Sequence, residues 1–273
     1  MIDIVTVVFE QELLVLKLQA QSIELYCQDI GIRNIYVIVN DDDSVVQKID
    51  TAWWGSLSQH VIKIPKSDFN THLVDDGWVS QQVLKMLGAA MSSNTWTMIL
   101  DAKTIIVKPM LVTDIIKDGR AQVGVLKIYP VFEPSRNITN SVFNIDLQQQ
   151  LGPGGVPFFV HNDTVRDMMI EIVKRTNQSF SDWFQKEGRV TEFILYSGYV
   201  QFRYGNFDTL YGQQSKIFPC NLCHSEVKIF DSKFNSMKGR EINTVSIHRN
   251  AWTQLSSKQQ QQYSDLLREK GIK

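Results

Sequence analysis

The feature that most constrains this chain is the run Ile2–Phe9, a β-branched, apolar segment broken only by Asp3 and Thr6. Such a run predicts a strand buried on both faces, as found in parallel sheets. In Leu13–Tyr26 the apolar residues Leu13, Leu14, Leu16, Leu18, Ile23, Leu25 and Tyr26 recur at helical spacing, and Gly31 closes the segment. Asn34–Val39 is a second apolar strand, capped by the polar cluster Asn40–Asp43. Strand, helix and strand over such a short stretch predict a right-handed βαβ unit.

The alternation continues. His60–Ile64 reads as a third strand, Gly77–Ala90 as a helix, and Trp96–Leu100 as a fourth strand running into Asp101. Thr104–Val107, Gln122–Tyr129, Val227–Phe230 and Val245–Ile247 read as extended. Thr164–Arg175, Glu192–Val200 and the polar tail Ser256–Lys273 read as helices, and Gly152–Gly155 as a tight turn. The fold class expected is α/β: a doubly wound, mostly parallel sheet with helices on both faces, then a mixed, loop-rich second half. With 273 residues and no linker or repeat, one domain is expected. Within it, residues 1–110 would form one half, 111–250 a second, and 251–273 a C-terminal helix.

Composition narrows the function. The 28 basic and 29 acidic residues leave a net charge of −1, so a general electrostatic grip on nucleic acid is not expected. No apolar run is long enough to span a bilayer, and the start lacks a basic segment, so a cytoplasmic location is expected. The three cysteines, Cys27, Cys220 and Cys223, read as free thiols. Cys220-Asn-Leu-Cys223-His224 has the form of a haem-attachment motif, but nothing else supplies the exported context that such attachment needs.

In open α/β sheets, ligands bind at the carboxyl ends of the strands. Three polar strand ends qualify: Thr6–Glu10, Asn40–Asp43 and Asp101-Ala-Lys103. In the last, residues two apart in an extended chain face one side, which places Asp101 and Lys103 over one pocket. Gln81 and Lys85 lie one helical turn apart, just upstream of that strand, so Lys85 is aimed at Asp101 or at a phosphate.

These segments resemble a known group. Gly77-Trp78-Val-Ser-Gln81-Gln82-Val-Leu-Lys85, Leu100-Asp101-Ala-Lys103, Thr191-Glu192-Phe193-Ile-Leu195-Tyr196 and the late Ser246-Ile-His248-Arg249 stand in order along roughly residues 3 to 250. The pattern is similar to that of a family of uncharacterised glycosyltransferases with the glycosyltransferase A (GT-A) fold. The resemblance implies transfer of a sugar from a nucleotide-diphosphate sugar to a carbohydrate or other hydroxyl acceptor, in polysaccharide or glycan synthesis.

It implies catalytic roles for Glu192 as general base and for Asp101 and Lys103 at the diphosphate, with Thr6, Val7, Asn40, Trp78, Gln81, Gln82, Lys85, His248 and Arg249 binding the donor. GT-A enzymes carry Asp-x-Asp at the strand end and hold a divalent metal there. Here Lys103 replaces the second Asp, which leaves Asp101 and His248 as metal ligands for Mn2+ or Mg2+ and raises metal-independent chemistry. Aromatic side chains near the site, Trp53, Trp54, Trp78, Phe193, Tyr196 and Tyr199, suggest sugar stacking. The competing expectation is a catalytically idle relative that binds a nucleotide sugar or a glycan. A nucleotidyltransferase fits less well, since Glu10-Gln11-Glu12 is acidic and glycine-free where that chemistry wants a basic, glycine-rich loop.

Overall fold

The structure is a computed structural model and describes residues 1–153, 155–212 and 214–273. The turn expected at Gly152–Gly155 includes residue 154, which lies outside the described residues.

Five strands form the central sheet: β1 (Ile2–Val8), β2 (Ile32–Val39), β3 (Val61–Pro65), β4 (Trp96–Asp101) and β6 (Phe158–His161). Their order is β6-β4-β1-β2-β3; β4, β1, β2 and β3 are parallel and β6 pairs antiparallel with β4. Every residue of β1 is buried, as its unbroken apolar sequence predicts. Helix α1 (Leu13–Tyr26) connects β1 to β2 and α2 (Gly77–Met91) connects β3 to β4. The chain reverses direction along the sheet between these crossovers. With right-handed connections, that reversal puts the two helices on opposite faces. Gly31, at φ +68°, takes the left-handed turn into β2. The link from β2 to β3 consists of 3₁₀ turns, Asp43–Lys48 and Thr51–His60, which carry Trp54 into the core.

The switch in strand order falls between β1 and β4. A crevice opens there at the carboxyl ends of the strands, as in other doubly wound sheets. Asp76 caps α2, its carboxylate accepting from Trp78 N at 2.9 Å. The helix then buries Val79, Val83, Leu84 and Met86 and brings Lys85 toward the crevice.

Past β4 the chain turns sharply. Thr104 N donates to Asp101 O at 2.9 Å, and Gln19 Nε2 of α1 donates to the carbonyls of Asp101 and Thr104. This corner leads into β5 (Ile105–Ile106), the edge of a second sheet with β7 (Pro219–Leu222) and β8 (Thr244–Ile247). Its own apolar cluster joins Ile105, Leu222 and Val245 to Phe230 and Phe234 of α7 (Phe230–Met237) and to Leu266 and Leu267 of α8 (Ser257–Glu269). The helices α3 (Glu133–Phe143), α4 (Asn162–Thr176), α5 (Phe180–Glu187) and α6 (Glu192–Tyr204) pack with the first sheet's core, the last three directly against α2.

Two expected strands differ. Gln122–Tyr129 is broken into Arg120–Gln122 and Val125–Lys127. The backbone changes partner there: Val123 N bonds Gly212 O, whereas Gly124 O receives Gly152 N. Val227–Phe230 is helical, because Phe230, Phe234 and Met237 recur at helical spacing and pack inward.

Candidate active site

A cleft of about 730 Å³ opens at the switch point. Its walls come from the turn after β1, the first turns of α2, the β4–β5 corner, the start of α6 and the ends of β7 and β8. It collects Trp78, Gln81, Gln82, Lys85, Asp101, Lys103, Glu192, His248 and Arg249, residues far apart in sequence.

Lys85 is the centre of the polar network. Its Nζ lies 2.6 Å from Asp101 Oδ1 and 3.1 Å from Glu192 Oε1. Lys103 Nζ lies 2.8 Å from Asp101 Oδ2. One carboxylate therefore holds two ammonium groups, and one ammonium bridges two carboxylates. The Phe193 ring lies beneath Lys85 Nζ, with its centroid 5.5 Å away. Gln82 is fixed between elements: its Nε2 donates to Trp78 O, and its Oε1 accepts from Glu192 N at 3.2 Å. It thus satisfies an otherwise orphaned donor at the first residue of α6.

The electrostatics follow from this sharing. Burial opposes ionisation of Asp101, but Lys103 and Lys85 outweigh it and hold its carboxyl well below the usual range. Burial also opposes the charge on Lys85, yet Asp101 and Glu192 raise its affinity for the proton. Glu192 goes the other way: burial raises its pKa, because Lys85, shared with Asp101, offsets only part of the desolvation. The weaker acid of the two is therefore Glu192. The pKa of His248 is lowered by burial and by the neighbouring Lys103, His224 and Arg249, which favours its neutral form. Its Nδ1 accepts from Asn250 N at 3.1 Å, capping the short helix Arg249–Trp252.

Several expected residues lie elsewhere. Thr6 and Val7 are wholly buried in β1, so their side chains face the sheet's packing and not the cleft. Asn40 is buried as well; its amide bonds Gly77 O and Ser80 Oγ and ties β2 to the start of α2. Asp41 accepts from Glu10 N, and Asp43 from Ser67 Oγ, so the polar end of β2 is spent on loop structure. Trp53 and Trp54 pack on the hydrophobic core. Tyr196 and Tyr199 are core residues too, with the Tyr196 hydroxyl 2.7 Å from that of Tyr211. Of the aromatic residues expected at the site, Trp78, which is 52% exposed, and Phe193 line the cleft.

Other lining residues escaped the sequence reading. Glu12 lies two positions beyond the strand end singled out after β1, and burial raises its pKa despite nearby Lys103. Phe132, Gln150, Asn221 and Cys223 also line the cleft. Phe132 and Gln150 come from segments without a recognisable motif, and Asn221 and Cys223 from the Cys220–His224 segment, whose form pointed to haem; only tertiary folding brings them there.

Asp101 and His248, the ligands expected for Mn2+ or Mg2+, are both engaged within the protein, Asp101 by two lysines and His248 Nδ1 by the Asn250 amide. Both oxygens of Asp101 face ammonium groups. Among the described residues, no cluster of three or more His, Cys, Asp or Glu side chains is placed to bind a metal ion. Hard divalent ions want several oxygen ligands. Among the described residues, no helix is long and apolar enough to cross a membrane.

Comparison with known proteins agrees with the architecture. The chain is similar in structure to the galactosyltransferase LgtC, solved in complex with donor and acceptor sugar analogs. The TM-score is 0.51 at 13% identity, covering 98% of this chain and 95% of that one. The glycosyltransferase GlyE of Streptococcus pneumoniae TIGR4 matches with a TM-score of 0.48 at 12% identity, covering 100% of this chain and 65% of that one. The fold is thus α/β of the GT-A type, with a parallel-rich central sheet. No curated protein sequence matches the chain. A family match spans residues 6–244, taking in β1, α2, the β4–β5 corner and α6 and ending just before His248, and by that match the chain belongs to the family of unknown function DUF6492.

Proposed function

We propose that this cleft binds a nucleoside diphosphate sugar and transfers its sugar to a hydroxyl of a carbohydrate or other acceptor, as a step in polysaccharide or glycan synthesis. The observation that carries the reading is the Lys103–Asp101–Lys85–Glu192 chain of ion pairs at the carboxyl end of β4, in a fold of the GT-A type. In the reaction, the bond from the sugar's anomeric carbon to the phosphate oxygen breaks, and its electron pair leaves with the nucleoside diphosphate. The acceptor oxygen forms the new bond, and its proton passes to Glu192, a buried carboxyl with a raised pKa suited to a general base. Lys103, 23% exposed at its side chain, swings from Asp101 onto the diphosphate and offsets the negative charge that builds there. Lys85, buried, stays with Asp101 and Glu192 and keeps both oriented. Trp78, Gln81, His248 and Arg249 line the donor's path. In this division, residues 1–110 bind the nucleotide sugar, 111–250 serve the acceptor and catalysis, and 251–273 form the C-terminal helix that packs on the second sheet's cluster.

The test is turnover of a panel of uridine and guanosine diphosphate sugars in the presence of chelator. Release of nucleoside diphosphate that is lost in Lys103→Ala supports the reading. Activity abolished by chelator and restored by Mn2+ would show that the lysine does not stand in for a metal. A second reading, an idle binding relative, draws on the full engagement of Asp101 by lysines. It predicts donor binding with neither hydrolysis nor transfer.

A further inference from the structure

Buried polar groups in folded proteins are nearly always paired, so an exception at a cleft wall asks for a partner from outside the chain. Among the described residues, two cleft-lining side chains hold a buried polar atom without a hydrogen bond: Asp101 Oδ1 and Gln150 Nε2. The first lies 2.6 Å from the Lys85 ammonium, so charge satisfies it. Gln150 has no such compensation. It is 2% exposed and sits on the strand Gln149–Leu151. The next residue anchors that strand to α6, Leu151 N donating to Ser197 Oγ at 3.1 Å. Gln150 is therefore carried on the strand packed against the helix that begins at Glu192.

Its surroundings define the ligand. Besides Gln150, the segment 132–194 brings the carboxylate of Glu192 and the rings of Phe132 and Phe193 to the cleft and, among its described residues, no cation. The cations Lys85, Lys103 and Arg249 come from other segments. A neutral amide donor on a cleft wall whose segment adds one carboxylate and two aromatic rings suits hydroxyls and the C–H face of a sugar ring; phosphate oxygens are served better by the ammonium and guanidinium groups of the opposite segments. The amide is as buried as Glu192, whereas the rim residue Trp78 is half exposed. It therefore meets the substrate part that enters deepest.

We infer that Gln150 is a specificity-determining residue whose side-chain amide donates a hydrogen bond to a hydroxyl of the transferred sugar. This rests on the donor reading above and adds which residue reads the sugar. An unpaired buried amide destabilises the ligand-free protein, and such strain at binding sites is commonly exchanged against function. Two consequences follow together. Replacing Gln150 by an apolar residue of similar length relieves the ligand-free protein and weakens sugar recognition, while the nucleoside diphosphate is held as before.

The experiment compares wild type with Gln150→Leu and, as a second isosteric variant, Gln150→Met. Melting temperature is measured without ligand. Dissociation constants are measured for uridine and guanosine diphosphate and for their glucose, galactose and mannose esters. The expected result is an unchanged or higher melting temperature, unchanged nucleoside diphosphate affinity, and about tenfold weaker binding of the preferred nucleotide sugar. Unchanged nucleotide-sugar affinity in a folded variant overturns the inference. So does an equal loss for nucleotide and nucleotide sugar, or a marked fall in ligand-free stability in both variants; these outcomes make Gln150 a structural group. If wild type binds none of the probes, the donor reading itself fails, an outcome separate from wild type binding them with Gln150 immaterial.

Discussion

Lys85 and Lys103 touch the same carboxylate but have different tasks, and exposure separates them. The Lys85 side chain is 6% exposed and bridges two buried carboxylates, so Lys85→Met leaves Glu192 without an ion pair and Asp101 with Lys103 alone. Breaking a buried pair in this way costs about 3–5 kcal/mol, and a urea titration should show that loss. Lys103→Ala at the solvent side of Asp101 should cost no more than about 1 kcal/mol in the same titration, yet remove donor turnover. Lys85→Ala should also weaken donor binding more than Lys108→Ala, since Lys108 is exposed outside the cleft. The depressed pKa of Asp101 has a definite sign in stability. Its contribution is present above the unfolded-state value of about 3.9 and is lost as pH falls below it toward the folded value. Asp101→Asn should therefore flatten the acid limb of stability against pH. Glu192 has the opposite displacement, so turnover should rise with pH through a value above the ordinary carboxylate range. A rate profile already flat across the weakly acidic range would count against Glu192 as the base. Lys85 was legible as a neighbour of Asp101 because the helix period fixes its direction, whereas Lys103 reaches Asp101 through the tight turn at Ala102–Lys103 and not through the strand alternation that the sequence suggested. The pairing of Lys85 with Glu192, 107 residues away, was not legible, since no local period carries it.

At the scale of elements, α2 and α6 hold the site, and each is fixed by close packing. Gly88 lets α2 lie flat on the sheet: a Cβ there would come within 2.6 Å of Ile38 Cδ1 and 3.1 Å of Val5 Cγ1. Gly88→Val should lower stability by about 1–3 kcal/mol through overpacking and, by lifting α2, weaken donor binding as well. Denaturation together with a binding titration checks both effects. The first four parallel strands and both crossover helices stood out in the sequence, because a strand buried on both faces and an amphipathic helix have distinct periods. The second half did not read as cleanly. Its strands are short, two to four residues, and their limits are set by changes of partner such as that at Gly124. The polar ends of β1 and β2 looked equivalent to that of β4, but strand order decides among them. Only the β1 and β4 ends flank the switch point, and Asn40 is drawn into holding α2.

At the scale of the molecule, the two apolar clusters meet at the β4–β5 corner, and the cleft draws residues from both sides of it. The cleft has the carboxylates Glu12, Asp101 and Glu192 opposed by Lys85, Lys103 and Arg249. Under the proposed function an anionic diphosphate would meet the exposed Arg249 and draw Lys103 from Asp101. The proposed function requires this cleft to take a nucleoside diphosphate sugar without a metal. The direct measurement is the melting temperature of the wild-type protein, in chelator, against uridine and guanosine diphosphates and their sugar esters at millimolar concentration. A ligand at one hundred times its Kd adds about 2.7 kcal/mol to the native state, so a bound donor should raise the melting temperature by several degrees. The account predicts that rise with chelator present and its loss in Lys103→Ala. No shift with any member of the panel, or a shift that appears only when Mn2+ or Mg2+ is supplied, would contradict it.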